Sequence, residues 1–581
     1  MLLKQGEIPA FLHLYFTKTI KRCIIMILNY MQKNGVFIMN YTALFNKIFE
    51  NTQIIPLEKN AELALSKEKN KSDFELLKSS LVKNGCKLYT EKSEGDNLFA
   101  TYTDAENVIN VSFTPFENTI RLICDKTTLL PPATGNFKKI VTPLITQVRN
   151  PYFVCDCGMT YIIRLADGRF VIIDGGEGEY DEIEHTMEIL RAQNVLEGKP
   201  VIAVWFITHA HSDHFNGLIQ MMDKHGDDII VERLVYDWSV PSLTCTMSPL
   251  GDFNRVVESL KDTEIITACS GQVYNLAGAT FEILYACEDL YPDFIRTLND
   301  TSIVFRMTIN GRRVMWLGDN MGQAADYISK KYPAELLKCE MLQVGHHGYW
   351  GGSQKFHEML DPEVLLWPCP DFWYQEIKDW DCNRFFKESQ NIKHKFICGQ
   401  KEVTLDMTKP VPYSNPYEKN GNVILEDNFD GRSVYGLHMS HITGGSTGYA
   451  PAKAEFSDNG LKLTSGGARS VLELVQPGFV EGESKITLEL SGSAENKCGV
   501  FGLVFNNPHP TVWSEIKLLK LDAYGRFNYT LELDYNNGSG TLYESGKPVK
   551  NIRFVKQDRA CGIYLVMKNS EIILDKFSLL R

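Results

Sequence analysis

Residues Ala203–Gly217 read AVWFITHAHSDHFNG. An apolar run of strand length ends in a loop holding His209, His211, Asp213 and His214, and the helical pattern FNGLIQMMDKHG follows at once. Two histidines two positions apart at a strand end project to the same side. An Asp-His pair one step later, at the helix start, faces a second point beside the first. Imidazole and carboxylate are ligands for divalent metals, so this spacing predicts two ions. Structural histidines are usually single, yet five of the 13 in the chain fall in this motif and in the pair His346-His347.

Around this segment the runs TYIIRLA, RFVIIDGG and VIAVWFITHAH alternate with the helical stretches EIEHTMEILRAQ, FNGLIQMMDKHG and AADYISKKYPAELLK. That alternation predicts a layered α/β domain over residues 141–410. Upstream, the helical patterns LFNKIFENT and FELLKSSLVKNG, the latter stopped by Gly85, precede short alternating runs from CKLYTEK to TIRLICDK. They predict a small α+β domain over 39–140, an antiparallel meander on two helices, closed by Pro131-Pro132. Beyond the Pro- and Asn-rich KPVPYSNPYEKNGN at 409–422 helical patterns stop, and residues 423–581 read as short strands joined by Gly, Asn and Ser turns. An all-β sandwich or jelly roll is expected there.

The histidine motif gives the chain a resemblance to the metallo-β-lactamase fold superfamily, whose HxHxDH signature His209, His211, Asp213 and His214 match. The resemblance covers about 155–405 and implies an αββα sandwich for the central domain. It also implies roles for residues outside the motif. FVIIDGG matches the family's strand ending in Asp and Gly, so Asp174 is expected to orient a ligand, with Gly175 and Gly176 allowing a close turn. GRRVMWLGDN implies that Asp319 bridges both ions, and EMLQVGHHGYWGGS supplies His346 and His347, of which one completes the second site. His347 is read as the ligand and His346 as a free partner beside the reacting centre. The pair, the glycines after it, Ser353, and Asn299 and Ser302 in LNDTSIVFRM look like the ComEC-type competence proteins and related phosphodiesterases. One departure from the family stands out: it usually has a further His between motif and bridging Asp, where this chain has only His225, expected to point away. The first ion then has a position open to water, to Asp237 or to substrate.

The resemblance implies hydrolysis. Two divalent ions, zinc by this ligand set and manganese or iron where oxygen donors dominate, make hydroxide at neutral pH and polarise a substrate oxygen. Asp213, His346 and His347 are the catalytic candidates, and a phosphodiester is the expected substrate. Another ester, a thioester or a lactam is the alternative, and a noncatalytic binding protein that retained the fold is a third reading. The chain has no GxGxxG after a strand, no GxxxxGK and no GxSxG elbow.

Composition sets the outer bounds. With 581 residues the chain is too long for one ordinary core. Net charge is -12, and residues 151–410 hold 23 Lys and Arg against 39 Asp and Glu, which argues against strong nonspecific binding of duplex nucleic acid. Fourteen cysteines without paired spacing predict reduced thiols and a cytoplasmic protein; packing is the reading for Cys155 and Cys157. Lys18, Lys21 and Arg22 interrupt the apolar amino terminus, so no membrane span is expected. Gly35-Val36 can be encoded as a purine-rich ribosome-binding element before Met39, so residues 1–38 read as untranslated leader, with an amphipathic helix as the alternative. The carboxy-terminal VILEDNFDG and GVFGLVFNN resemble concanavalin-like sandwiches, which implies a glycan or protein ligand, with Tyr449 and Trp513 as stacking candidates. Trp350 and DFWYQEIKDW are read either as a lid over the metals or as ordinary packing.

Overall fold

The computed structural model describes residues 40–581 except 58–60, 128–140, 150–157, 179–181, 245–248, 401, 411–420, 430–451, 458, 476, 481, 506–517 and 559. The leader reading of 1–38, the Pro131-Pro132 pair, Cys155, Cys157, Tyr449 and Trp513 lie outside the described residues, as does most of the linker.

Two sheets stacked face to face form the centre. The first runs in the order Glu264–Thr267, Arg233–Tyr236, Val201–Phe206, Phe170–Asp174, Thr160–Arg164, Leu144–Gln147 and Val403–Asp406, with Ile230–Val231 paired beside Val201–Phe206. The second runs Val273–Leu276, Ala279–Tyr285, Val304–Ile309, Arg312–Trp316, Met341–Gln343, Val364–Trp367 and His394–Ile397. Side-chain alternation splits each strand between two cores. Ile163, Val171, Ile173 and Phe206 meet Phe281, Phe305, Trp316 and Leu366 of the facing sheet. Ile162, Phe170, Ile172 and Trp205 instead meet Ile183, Leu190, Phe215 and Leu218, which come from the helices Glu182–Gln193 and Ser212–His225. Both faces are covered, which is why VIAVWFIT reads as a continuous apolar run. On the far side Met315, Leu342 and Leu365 pack with Ile328, Phe356 and Leu360 of the helices Gly322–Lys331 and Gln354–Leu360. The layer order is αββα. AADYISKKYPAELLK, read from sequence as one helical stretch, is two helices, Gly322–Lys331 and Ala334–Leu337. Pro333 lies between them and has no N–H to continue the ladder.

The amino-terminal helices Tyr41–Ile48 and Lys71–Lys83 cover one face of a six-stranded antiparallel sheet, burying Phe45, Phe74, Leu77 and Leu81 against Ala64, Ile109 and Leu122. The alternate residues Leu63, Leu65, Phe99 and Ile123 join the outer core of the second central sheet, so this unit packs on the centre. The carboxy-terminal region is two antiparallel sheets around one apolar core that includes Leu463, Leu488, Phe527, Leu565 and Phe577. Arg149 joins it to the centre by donating to Glu473 Oε1 at 2.7 Å. No helix among the described residues is long and apolar enough to cross a membrane.

Candidate metal centre

The strands Phe170–Asp174 and Val201–Phe206 are parallel neighbours with Ile173 opposite Phe206, so their carboxyl ends stand side by side. Asp174, buried and with a left-handed φ of 56°, turns its carboxylate under the histidine loop. Oδ1 accepts from Thr208 N at 2.7 Å, and Oδ2 accepts from Thr208 Oγ1 at 2.9 Å and from His214 Nδ1 at 2.7 Å. Because the Thr208 hydroxyl proton goes to Asp174, its oxygen accepts from His209 Nδ1 at 3.1 Å. His347 Nδ1 donates to Pro368 O at 2.7 Å. Each of these three imidazoles therefore spends its Nδ1 proton outward and turns Nε2 inward.

Asp319 comes from the opposite sheet, just after Arg312–Trp316, and its N–H donates to Ser302 Oγ at 3.0 Å. Its Oδ1 lies 3.3 Å from His214 Nε2 and 3.4 Å from His347 Nε2, and its Oδ2 lies 3.7 Å from His209 Nε2. Asp213 Oδ2 stands 3.3 Å from His214 Nε2 and 3.2 Å from His347 Nε2. His209 Nε2 and His211 Nδ1 are 2.9 Å apart. The result is two donor groups, Asp213, His214, Asp319 and His347 beside His209, His211 and Asp319, with Asp319 common to both. Burial opposes charge here, but His214 and His347 hold the Asp319 carboxyl well below the usual carboxylate range. Against the same burial, Asp319 and Asp213 push His214 up, and His347 to about 10. His209 goes the other way, pushed well down by burial and then by His214. The carboxylates thus call for positive charge at the inward Nε2 atoms, where protons or a cation can supply it.

Residues 157–266 match the family model of the metallo-beta-lactamase superfamily, a span that includes Asp174 and the whole His209–His214 loop. The chain carries a metallo-β-lactamase superfamily domain. Solved structures similar to it include CmlA, a diiron β-hydroxylase from Streptomyces venezuelae, at 13% identity and a TM-score of 0.28 over 46% of this chain and 54% of that one. Human tRNase Z, short form, is similar at 14% identity and 0.23, over 38% of this chain and 91% of its own. The carbohydrate binding module CBM66 from Bacillus subtilis is similar at 11% and 0.18, over 24% and 99%. The chain spans about half the length of the hydroxylase. None of the curated proteins matches it.

In the metallo-β-lactamase domain the adjacent histidines part company. The turn Gly345–Gly348 puts both His346 and His347 in the left-handed region, with φ 47° and 53°. That strain, about 1–3 kcal/mol at each residue, aims them in different directions. His347 Nε2 enters the first donor group, whereas His346 Nε2 lies 4.0 Å from Asp319 Oδ2 and 3.0 Å from Asn299 Nδ2, outside both groups. His225 bonds Asp228 and Glu184 at 3.0 Å each, on the outer helical layer. Asp237 falls in a separate buried group with Cys287 and Glu288, not with His209 and His211. Tyr349 packs on Trp373 and Trp380 with ring centroids 4.7 and 5.0 Å apart, and Trp350 on Trp380 at 5.3 Å, so these aromatics pack on one another beside the His pair. Sequence reading missed Thr208 and the Pro368 carbonyl. Adjacency to His209 was the only signal for Thr208, and a backbone oxygen leaves none.

Proposed function

We propose that the metallo-β-lactamase domain is a binuclear metal-dependent hydrolase that acts on a phosphodiester. The observation that carries this reading is the shared Asp319, which turns one oxygen toward each donor group. The buried atoms His214 Nε2, His347 Nε2 and Asp319 Oδ1 have no hydrogen-bond partner, as a cation's ligands would not. Asp213, His214, Asp319 and His347 would hold one ion, and His209, His211 and Asp319 the other. Imidazole with carboxylate suits zinc, with manganese or iron as alternatives. When bound, two divalent ions supply hydroxide at neutral pH and polarise a substrate oxygen.

The chain's own residues prepare that chemistry. Asp174 fixes the tautomers of His214 directly and of His209 through Thr208. Asn299 Nδ2 donates to His346 Nε2, which leaves the His346 proton on Nδ1, an atom without a partner. His346, beside the centre but outside both donor groups, would serve a phosphoryl oxygen or the leaving group. The contacts of Asn299 with His346 and of Ser302 with Asp319 support the ComEC-type reading. The carboxy-terminal sandwich is read as a concanavalin-like module for a glycan or protein ligand, and the protein as cytoplasmic.

The test is metal content together with hydrolysis of bis(p-nitrophenyl) phosphate, a thioester and a lactam. His346→Ala should keep its metals and lose about 10² to 10⁴ in rate, whereas His347→Ala and Asp319→Ala should lose metal and activity together. Turnover of the thioester or lactam alone would replace the phosphodiester reading.

A further inference from the structure

A second cluster of metal-ligating side chains lies outside this centre. Asp237, just after the strand Arg233–Tyr236, meets Cys287 and Glu288 of the turn Cys287–Asp289, with one donor atom from each within 4.8 Å of the others. All three are buried, at 2%, 0% and 1% exposure. Cys287 Sγ lies 3.0 Å from Asp237 Oδ2 and 3.4 Å from Tyr291 Oη. No N–H or hydroxyl donates to either carboxylate oxygen of Glu288, and the group its carboxyl bonds is the second acid, Asp237. The nearby cations are engaged elsewhere: Arg121 by the backbone oxygens of Glu288 and Asp289 and by the Glu117 side chain, Lys331 by Asp289 Oδ2 at 2.8 Å. Burial first and then the Asp237 charge push the Glu288 carboxyl well up, so without a cation the two acids hold a proton between them.

We propose that Asp237, Cys287 and Glu288 form a third cation site, which takes a zinc-class divalent ion. The donor set selects the class. Thiolate with carboxylate suits zinc and its neighbours, whereas calcium and magnesium take oxygen ligands alone. Binding exchanges the Cys287 thiol proton, and any proton the two carboxyls share, for the ion. Glu288 also lines a small cavity with Arg121, Cys269 and Asp289. The role is structural. Arg121 of the amino-terminal sheet grips the same turn through its backbone, so an ion there stiffens the seam between that sheet and the metallo-β-lactamase domain.

Cobalt separates this site from the other, because no sulfur belongs to the Asp319 groups. Full-length protein stripped with chelator and reloaded with Co²⁺ should show thiolate-to-cobalt charge-transfer absorption. The band should persist in Asp319→Ala and vanish in Cys287→Ser, and zinc content should fall by one equivalent per chain in Cys287→Ser and in Glu288→Gln. Absence of the band from the reloaded wild-type protein would overturn the site and leave a proton-sharing acid pair, without reliance on any variant's folding. A band that survives Cys287→Ser would overturn it equally, by placing the thiolate elsewhere.

Discussion

Asp174 holds two histidines of the candidate centre with one carboxylate. It accepts from His214 directly, while Thr208 relays the same oxygen's influence to His209. Partners of this kind typically cost 10- to 100-fold in metal affinity when mutated. Asp174→Asn should therefore weaken both donor groups by about that factor, and Thr208→Val should weaken only the His209 side. Competition against a chromophoric chelator resolves the two affinities. Equal loss at both sites in Thr208→Val would contradict the relay. At this scale the sequence was legible where chemistry is local: His209, His211, Asp213 and His214 lie within six positions, and strand and helix geometry brings them together. It offered only adjacency to His209 for Thr208 and nothing for Pro368, because Asp174 and His347, the partners that give them their roles, are 34 and 21 residues away along the chain.

Among the elements, the helix Ser212–His225 sets the centre's geometry, since its first turn carries Asp213 and His214. It can sit this close to the strand Phe170–Asp174 because two glycines meet. A Cβ added at Gly217 would lie 1.6 Å from Gly175 O, and one at Gly175 would lie 2.8 Å from Leu218 N. Those contacts are backbone, so neither yields by a side-chain swing. Gly217→Ala should push the helix outward, cost about 1–3 kcal/mol of stability as other overpacking changes do, and lower metal affinity with it. Urea unfolding and metal titration of the same preparation check both. An alanine at this position that changed neither would show the glycine contact to be idle. The helix and its strand were readable from apolar periodicity, and the motif glycine was visible, but its necessity was not, because it arises only when residue 175 is brought opposite. The short amino-terminal strands Gln53–Pro56 and Glu62–Ser66 escaped for another reason: four- and five-residue runs carry too little pattern.

Across the whole molecule, every proposed catalytic ligand lies between Asp174 and His347, yet the carboxy-terminal sandwich is pinned to the metallo-β-lactamase domain by a buried ion pair. Arg149 and Glu473 are 3% and 1% exposed, and Arg149 also donates to Gly399 O at 3.2 Å. Burial pushes the Glu473 carboxyl up, while Arg149 opposes that shift. Removing one partner of such a pair typically costs about 3–5 kcal/mol, because the survivor stays buried and uncompensated, whereas replacing both by apolar groups is often neutral. Glu473→Gln should thus destabilise the full-length protein by about that amount, and Arg149→Met with Glu473→Leu should recover most of it in urea unfolding. Deleting residues 423–581 makes a sharper comparison. It removes Glu473 too, but it also lets water reach the Arg149 guanidinium, so the truncated chain should suffer less at this position than the point variant. Its hydrolysis of a small substrate should stay close to that of the full chain. Loss of turnover in a truncated chain that still folds and holds its metals would mean that the sandwich builds part of the substrate pocket.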